Sequence, residues 1–110
     1  MNSLRAVAAD FVAEVEAALS SAGRADLAPQ LSTGTIERCT YDASVDAGYI
    51  YLRRPPLSAH FEKLAAPVAE TVPFLECGFN VDIDHDGRLF GIEFLSRADV
   101  LDSLKHANAL

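Results

Sequence analysis

Asp82, Asp84, Asp86 and Glu93 are the residues whose types and spacing most invite chemistry in this chain. The run Asp82-Ile83-Asp84-His85-Asp86-Gly87, with Glu93 after five intervening residues, fits the calcium loop of an EF-hand. Calcium is a hard cation that takes about six to eight oxygens, so carboxylates at alternate positions can curl around it while glycine permits the sharp turn. A solvated acidic strand face, keeping a sheet soluble, would produce the same letters.

The flanking sequence decides between them. An EF-hand loop needs a helix on each side. The entering segment PFLECGFNV carries Pro73 and Gly78, and Phe79, Val81 and Ile83 alternate with Asn80, Asp82 and Asp84, which is the period of a strand. Asp86-Gly87 suits a two-residue type I′ turn. That loop sets His85 opposite Arg88, Ile83 opposite Phe90, Val81 opposite Ile92 and Phe79 opposite Phe94, so apolar residues meet across one face. The expectation is therefore a structural hairpin with Asp82, Asp84 and Glu93 on its polar face, and a divalent-cation (calcium) site is the alternative.

Other reactive side chains form no constellation. His60, His85 and His106 lack metal-ligand spacing, and Cys39 and Cys77, far apart without a C-x-x-C pattern, are expected as small buried hydrophobes. Asp42 and Asp46 bracket a turn, where aspartate bonds nearby amides. Tyr41, Tyr49 and Tyr51 read as half-buried sheet residues. No pair of carboxylates is marked for acid–base work, and the chain is not expected to be an enzyme.

The elements that carry these residues follow from periodicity. Ser3 to Ala22 has apolar residues at Leu4, Val7, Ala8, Phe11, Val12, Val15, Ala18 and Leu19, a helical stripe with Ser3 as N-cap and Gly23 as stop. Arg24 to Gly34 is a connection with a short helical turn before Pro29. Thr35–Tyr41 and Ala47–Leu52 are strands around a polar turn, the second apolar on both faces and so interior to a sheet. Ser58 to Ala66 is expected as a short helix. Val68 to Leu75 is expected as a strand that Pro73 confines to the edge. Ser96 to Asp99 resembles a capping box for a short C-terminal helix, with a frayed end from His106 to Leu110. The fold class is α+β: an N-terminal helix, a mainly antiparallel sheet of four or five strands, and a short C-terminal helix. Residues 1–34 form the helix and connection and residues 35–110 the strand-rich part of one compact domain, for which 110 residues suffice.

Sixteen acidic residues against nine basic ones give a net charge of −7. Nucleic acids and anionic membranes demand clustered Lys and Arg, and the one adjacent basic pair is Arg53–Arg54. Asp10, Glu14 and Glu16 interrupt the apolar N-terminus, which excludes an export signal there and places the protein in the cytoplasm. An acidic surface suits a basic protein partner.

Two stretches, YDASVDAGYIYL and NVDIDHDGRLFGIEFL, together resemble the family called domain of unknown function 2283, small prokaryotic (bacterial) proteins. Tyr41, Asp42, Asp46, Tyr49, Ile50 and Leu52 match its first half, and Asp82, Asp84, Gly87, Gly91, Ile92, Glu93 and Leu95 its second, covering about residues 36–96. Gly48 replaces a larger apolar residue, the segment from Arg53 to Val68 is longer, and the helix before Thr35 is extra. The resemblance implies a strand-rich domain without established activity and, because relatives lie beside small toxin-like proteins, an antitoxin-like partner of a small basic protein. The leading functional expectation is a protein-interaction module that forms a homo-oligomer, through the first helix or the Pro73 edge strand.

Overall fold

The computed structural model describes residues 2–53 and 68–110, so the helix expected over Ser58–Ala66 lies outside the described residues. One antiparallel sheet is built from β1 (Ile36–Asp42), β2 (Ala47–Leu52), β3 (Glu70–Phe74), β4 (Phe79–Ile83) and β5 (Leu89–Leu95). Its strand order is β1-β2-β5-β4-β3. The β1–β2 hairpin thus joins the β3–β4–β5 meander through the β2–β5 pair, from Ala47↔Leu95 to Tyr51↔Gly91. The apolar AGYIYL strand is interior, and the strand bearing Pro73 is an edge, as their compositions predict. This is the expected α+β class, with five strands.

Helices α1 (Leu4–Val7), α2 (Ala9–Ser21), α3 (Ala28–Ser32) and α4 (Ala98–His106) complete the described elements, with 3₁₀ turns at Ala25–Leu27 and Leu75–Cys77. Leu4, Phe11, Val12, Val15 and Leu19 share one core with Ile50, Phe79, Val81, Ile92 and Phe94 of the sheet and with Val100 and Leu104 of α4. Phe11 meets Phe79 edge to face at 5.6 Å between centroids. Burying each such side chain contributes about 1.5–3 kcal/mol before entropy is charged against it. The stripe of the first helix is therefore covered within its own chain, which corrects the expectation that it could mediate a dimer.

Three local expectations also need correction. The first helix breaks at Ala8 (φ −143°, ψ 63°). Its first turn is tied to the start of β1, with Leu4 N donating to Gly34 O at 2.9 Å and Ile36 N to Asn2 O at 2.7 Å, so the chain changes direction before α2 crosses the sheet. Ser3 caps α1 as expected, accepting from Ala6 N at 3.0 Å. Ser96 does not cap α4: it has φ 52°, and Arg97 is the N-cap without a side-chain cap bond. The C-terminus is ordered rather than frayed. Asn108 turns at φ 55°, its N–H reaching Lys105 O at 3.0 Å and that of Ala109 reaching Leu104 O at 2.9 Å, a Schellman closure.

Arg97 ties α2 to the sheet. Its guanidinium donates to Glu14 at 2.7 and 3.0 Å, to Asp99 at 2.9 and 3.0 Å and to the Cys77 carbonyl at 2.8 Å, and it lies 5.3 Å from the Phe11 ring centroid. These carboxylates push its pKa still higher, the Asp99 hydrogen bond contributing most, so it remains a cation.

Candidate functional site

The acidic run straddles β4, its turn and β5, so strands rather than helices flank it. The loop differs from the expected two-residue turn. Asp84 N donates to Arg88 O at 2.8 Å and Gly87 N to Asp84 O at 3.1 Å, enclosing three residues, His85, Asp86 and Gly87. Gly87 alone in this loop takes positive φ, 75°, as the αL position of a three-residue hairpin requires. The pairing is consequently Ile83↔Leu89, one residue off the expected Ile83–Phe90, while Val81↔Ile92 and Phe79↔Phe94 stand as expected. A bulge at Phe90 absorbs the difference, because Asp82 pairs with Gly91.

The glycine at that bulge makes room for a ring. A Cβ on Gly91 would lie 2.3 Å from Tyr49 Cε1 and 2.6 Å from the Ile50 carbonyl oxygen, so Tyr49 covers bare backbone. On the opposite face a Cβ on Gly48 would lie 2.1 Å from Phe94 Cζ. Phe94 thereby takes the room of the larger residue that the resemblance leads one to expect at position 48.

The four carboxylates do not converge. Asp82 lies on the sheet face away from α2, accepting from Tyr49 Oη at 2.5 Å and from Thr71 Oγ1 at 2.6 Å. Glu93, on the same face, accepts from Asn80 Nδ2 at 3.0 Å. Asp84, expected on the polar face, is instead buried, at 5% exposure, because it organises the loop. Its oxygens accept from Asp86 N and Arg88 N at 2.9 Å each and from Arg88 Nε at 3.0 Å. Asp86 meets the other side of Arg88, at 3.3 Å. Among the described residues, no three His, Cys, Asp or Glu side chains are grouped to hold one ion.

Two partners of this turn carried no signal in the sequence. Arg88 supplies the cation that Asp84 needs once buried. Gln30, on α3, receives Leu89 N on its Oε1 at 3.0 Å and donates to Gly87 O at 3.3 Å. It lies 57 residues from Gly87 along the chain, beyond the reach of any local pattern.

Around Asp82 the face is aromatic. Tyr49, Tyr51 and Phe90 form a cluster with centroids 4.5–6.3 Å apart, and Arg38 Cζ sits 3.8 Å over the Tyr51 ring. Burial, with the Asp82 carboxylate beside it, raises the Tyr49 hydroxyl far above its ordinary pKa and keeps it a hydrogen-bond donor. Asn80 Oδ1 is buried without a hydrogen-bond partner among the described residues, and the residue opposite it is Pro73, which has no N–H to offer. Cys39 and Cys77 are free thiols. Partial burial pushes Cys39 up to about 11, away from thiolate chemistry, whereas Cys77 is exposed rather than buried as expected, because it lies in the 3₁₀ turn Leu75–Cys77 outside the core. His85 and His106 are both exposed. No described helix is long and apolar enough to cross a membrane.

Residues 38–96 match the family described as Protein of unknown function (DUF2283). No curated protein and no solved structure matches the chain.

Proposed function

The chain belongs to the DUF2283 family, whose description assigns no activity, and from that premise we propose that it acts as a non-catalytic protein-interaction module that associates with itself. The observation that carries this reading is the contrast between the sheet's edges. β3 is a five-residue strand containing Pro73, with exposed Glu70 and Thr71, the kind of edge that resists pairing. β1 has seven residues and no proline, and among the described residues no strand lies beyond its stretch from Cys39 to Asp42. This moves the self-association surface from the Pro73 edge, expected from sequence, to the opposite one.

The reading is non-catalytic because Asp82 is bound to two neutral hydroxyls, Glu93 to the Asn80 amide and Asp84 to Arg88, and Tyr49 is held protonated. Free thiols fit a cytoplasmic setting. The net charge of −7 favours a basic protein as the second kind of partner. Sedimentation velocity over a wide concentration range tests the reading: a concentration-dependent dimer supports it, and a strict monomer overturns self-association and leaves the basic partner.

A further inference from the structure

We propose that two copies of this chain pair their β1 strands antiparallel about a twofold axis at Thr40, setting Arg38 of each copy opposite Asp42 of the other. The proposal rests on the self-association advanced above and gives it a surface and a register.

Backbone directions come first. Arg53 N donates to Thr35 O at 2.8 Å, and Ser96 N to Asp46 O at 2.8 Å. In an antiparallel ladder the amide and carbonyl of one residue point the same way, and the direction alternates along the strand. Ala47, Tyr49 and Tyr51 therefore face β1, and their partners Asp42, Thr40 and Arg38 face β2. Cys39 and Tyr41 turn their N–H and C=O groups toward the open edge. The strand's beginning is already occupied, because Ser3 bridges Thr35 and Ile36 N donates to Asn2 O. A register shift between Ile36 and Arg38 separates that covered start from the regular pairing that runs from Arg38 to Asp42.

Side chains then select the register. Arg38, Thr40 and Asp42 are exposed and share the face opposite the core. Arg38 has no carboxylate partner among the described residues, and its guanidinium stacks on Tyr51. Asp42 has no cationic partner among them, and its Oδ1 alone is engaged, by Ser44 N at 3.0 Å and Ser44 Oγ at 2.6 Å. Four residues along one strand separate Arg38 and Asp42 by roughly 13 Å, too far to pair within the chain. A twofold at Thr40 solves this twice over. Cys39 and Tyr41 of one copy form hydrogen-bonded pairs with Tyr41 and Cys39 of the other, while Thr40 faces Thr40 and Arg38 faces Asp42 at the closer, non-hydrogen-bonded positions. A slip of one residue sets outward groups against inward ones. A slip of two places Arg38 opposite Thr40 or Ser44 and leaves both charges unpaired.

The pairing spans only five residues, so the dimer is weak and concentration-dependent. Repulsion between two chains of net charge −7 is screened beyond about 8 Å at physiological salt, whereas the cross-strand pairs lie within that distance.

The test is sedimentation velocity on charge-reversed variants, with thermal midpoints confirming that each is folded. Arg38→Asp and Asp42→Arg should each weaken the homodimer about tenfold or more, because two attractive contacts become repulsive. An equimolar mixture of the two should recover a dimer, one chain then carrying both acids and the other both bases. Thr40→Cys, made in a Cys39→Ser/Cys77→Ser background, should cross-link under mild oxidation, whereas Arg38→Cys in that background should not. A wild-type chain that stays monomeric overturns both this proposal and self-association. A wild-type dimer that Arg38→Asp leaves intact overturns the β1 edge alone. Loss of dimer without recovery on mixing overturns the register.

Discussion

The β1–β2 and β4–β5 hairpins each open on an aspartate whose carboxylate folds back onto its own loop. In the first, Asp42 accepts from the amide and hydroxyl of Ser44, Tyr41 Oη donates to Asp46 at 2.6 Å, and residues 42–46 are all exposed, Val45 at 65%. In the second, Asp84 accepts two loop amides and the Arg88 guanidinium while nearly enclosed, and Gln30 of α3 closes over the turn. The local chemistry is shared, and what differs is whether another element stands above it. Asp42 exchanges water for Ser44 at little gain. Asp84 has given up its hydration, so every bond it makes is one it cannot lose cheaply.

The largest expected effect comes from the glycine in each hairpin. Gly91→Ala should destabilise by about 3 kcal/mol in urea unfolding, because the new methyl meets the Ile50 carbonyl oxygen at 2.6 Å and backbone cannot yield. Gly48→Ala should cost less, about 2 kcal/mol, since the nearest atoms it meets belong to the Phe94 side chain rather than to backbone. If the order reversed, the inner face would be the tighter of the two.

Next in size, Asp84→Ala should lower stability by a little under about 2 kcal/mol, because Arg88 Nε and two loop amides lose their acceptor. Asp42→Ala should leave the thermal midpoint nearly unmoved. Equal effects would erase the distinction between the loops. Smaller again, Gly87→Ala should cost about 1 kcal/mol, purely from φ 75°, since a Cβ there meets nothing within 4 Å. Calcium added to chelator-stripped protein should shift the midpoint least of all. Saturable binding with a raised midpoint would mean that Asp82 and Asp84 abandon Tyr49, Thr71 and Arg88 for a shared ion.

The alternation from Phe79 to Leu95 was enough to place β4 against β5 with Val81 on Ile92, because a period of two admits one buried face. The bulge at Phe90 was hidden, since it answers to Tyr49 lying over Gly91, a contact between different hairpins. The same holds for the break at Ala8, forced by the tie to Gly34. Within the candidate site, the residue types were legible and their directions were not. Asp82, Asp84 and Glu93 share a spacing in sequence but take separate partners, and the burial of Asp84 depends on Arg88 and on Gln30 far upstream.

The β2–β5 pair carries a kinetic consequence. Among the described residues, every other strand pairing joins neighbours in the chain, within reach of rapid local closure. Ala47 meets Leu95 across 48 residues, and most of that loop-closure entropy must be surrendered before the core repays it. Two hairpins can therefore form and dissolve many times before one docking event commits the chain, and the speed of refolding is set at the seam between them.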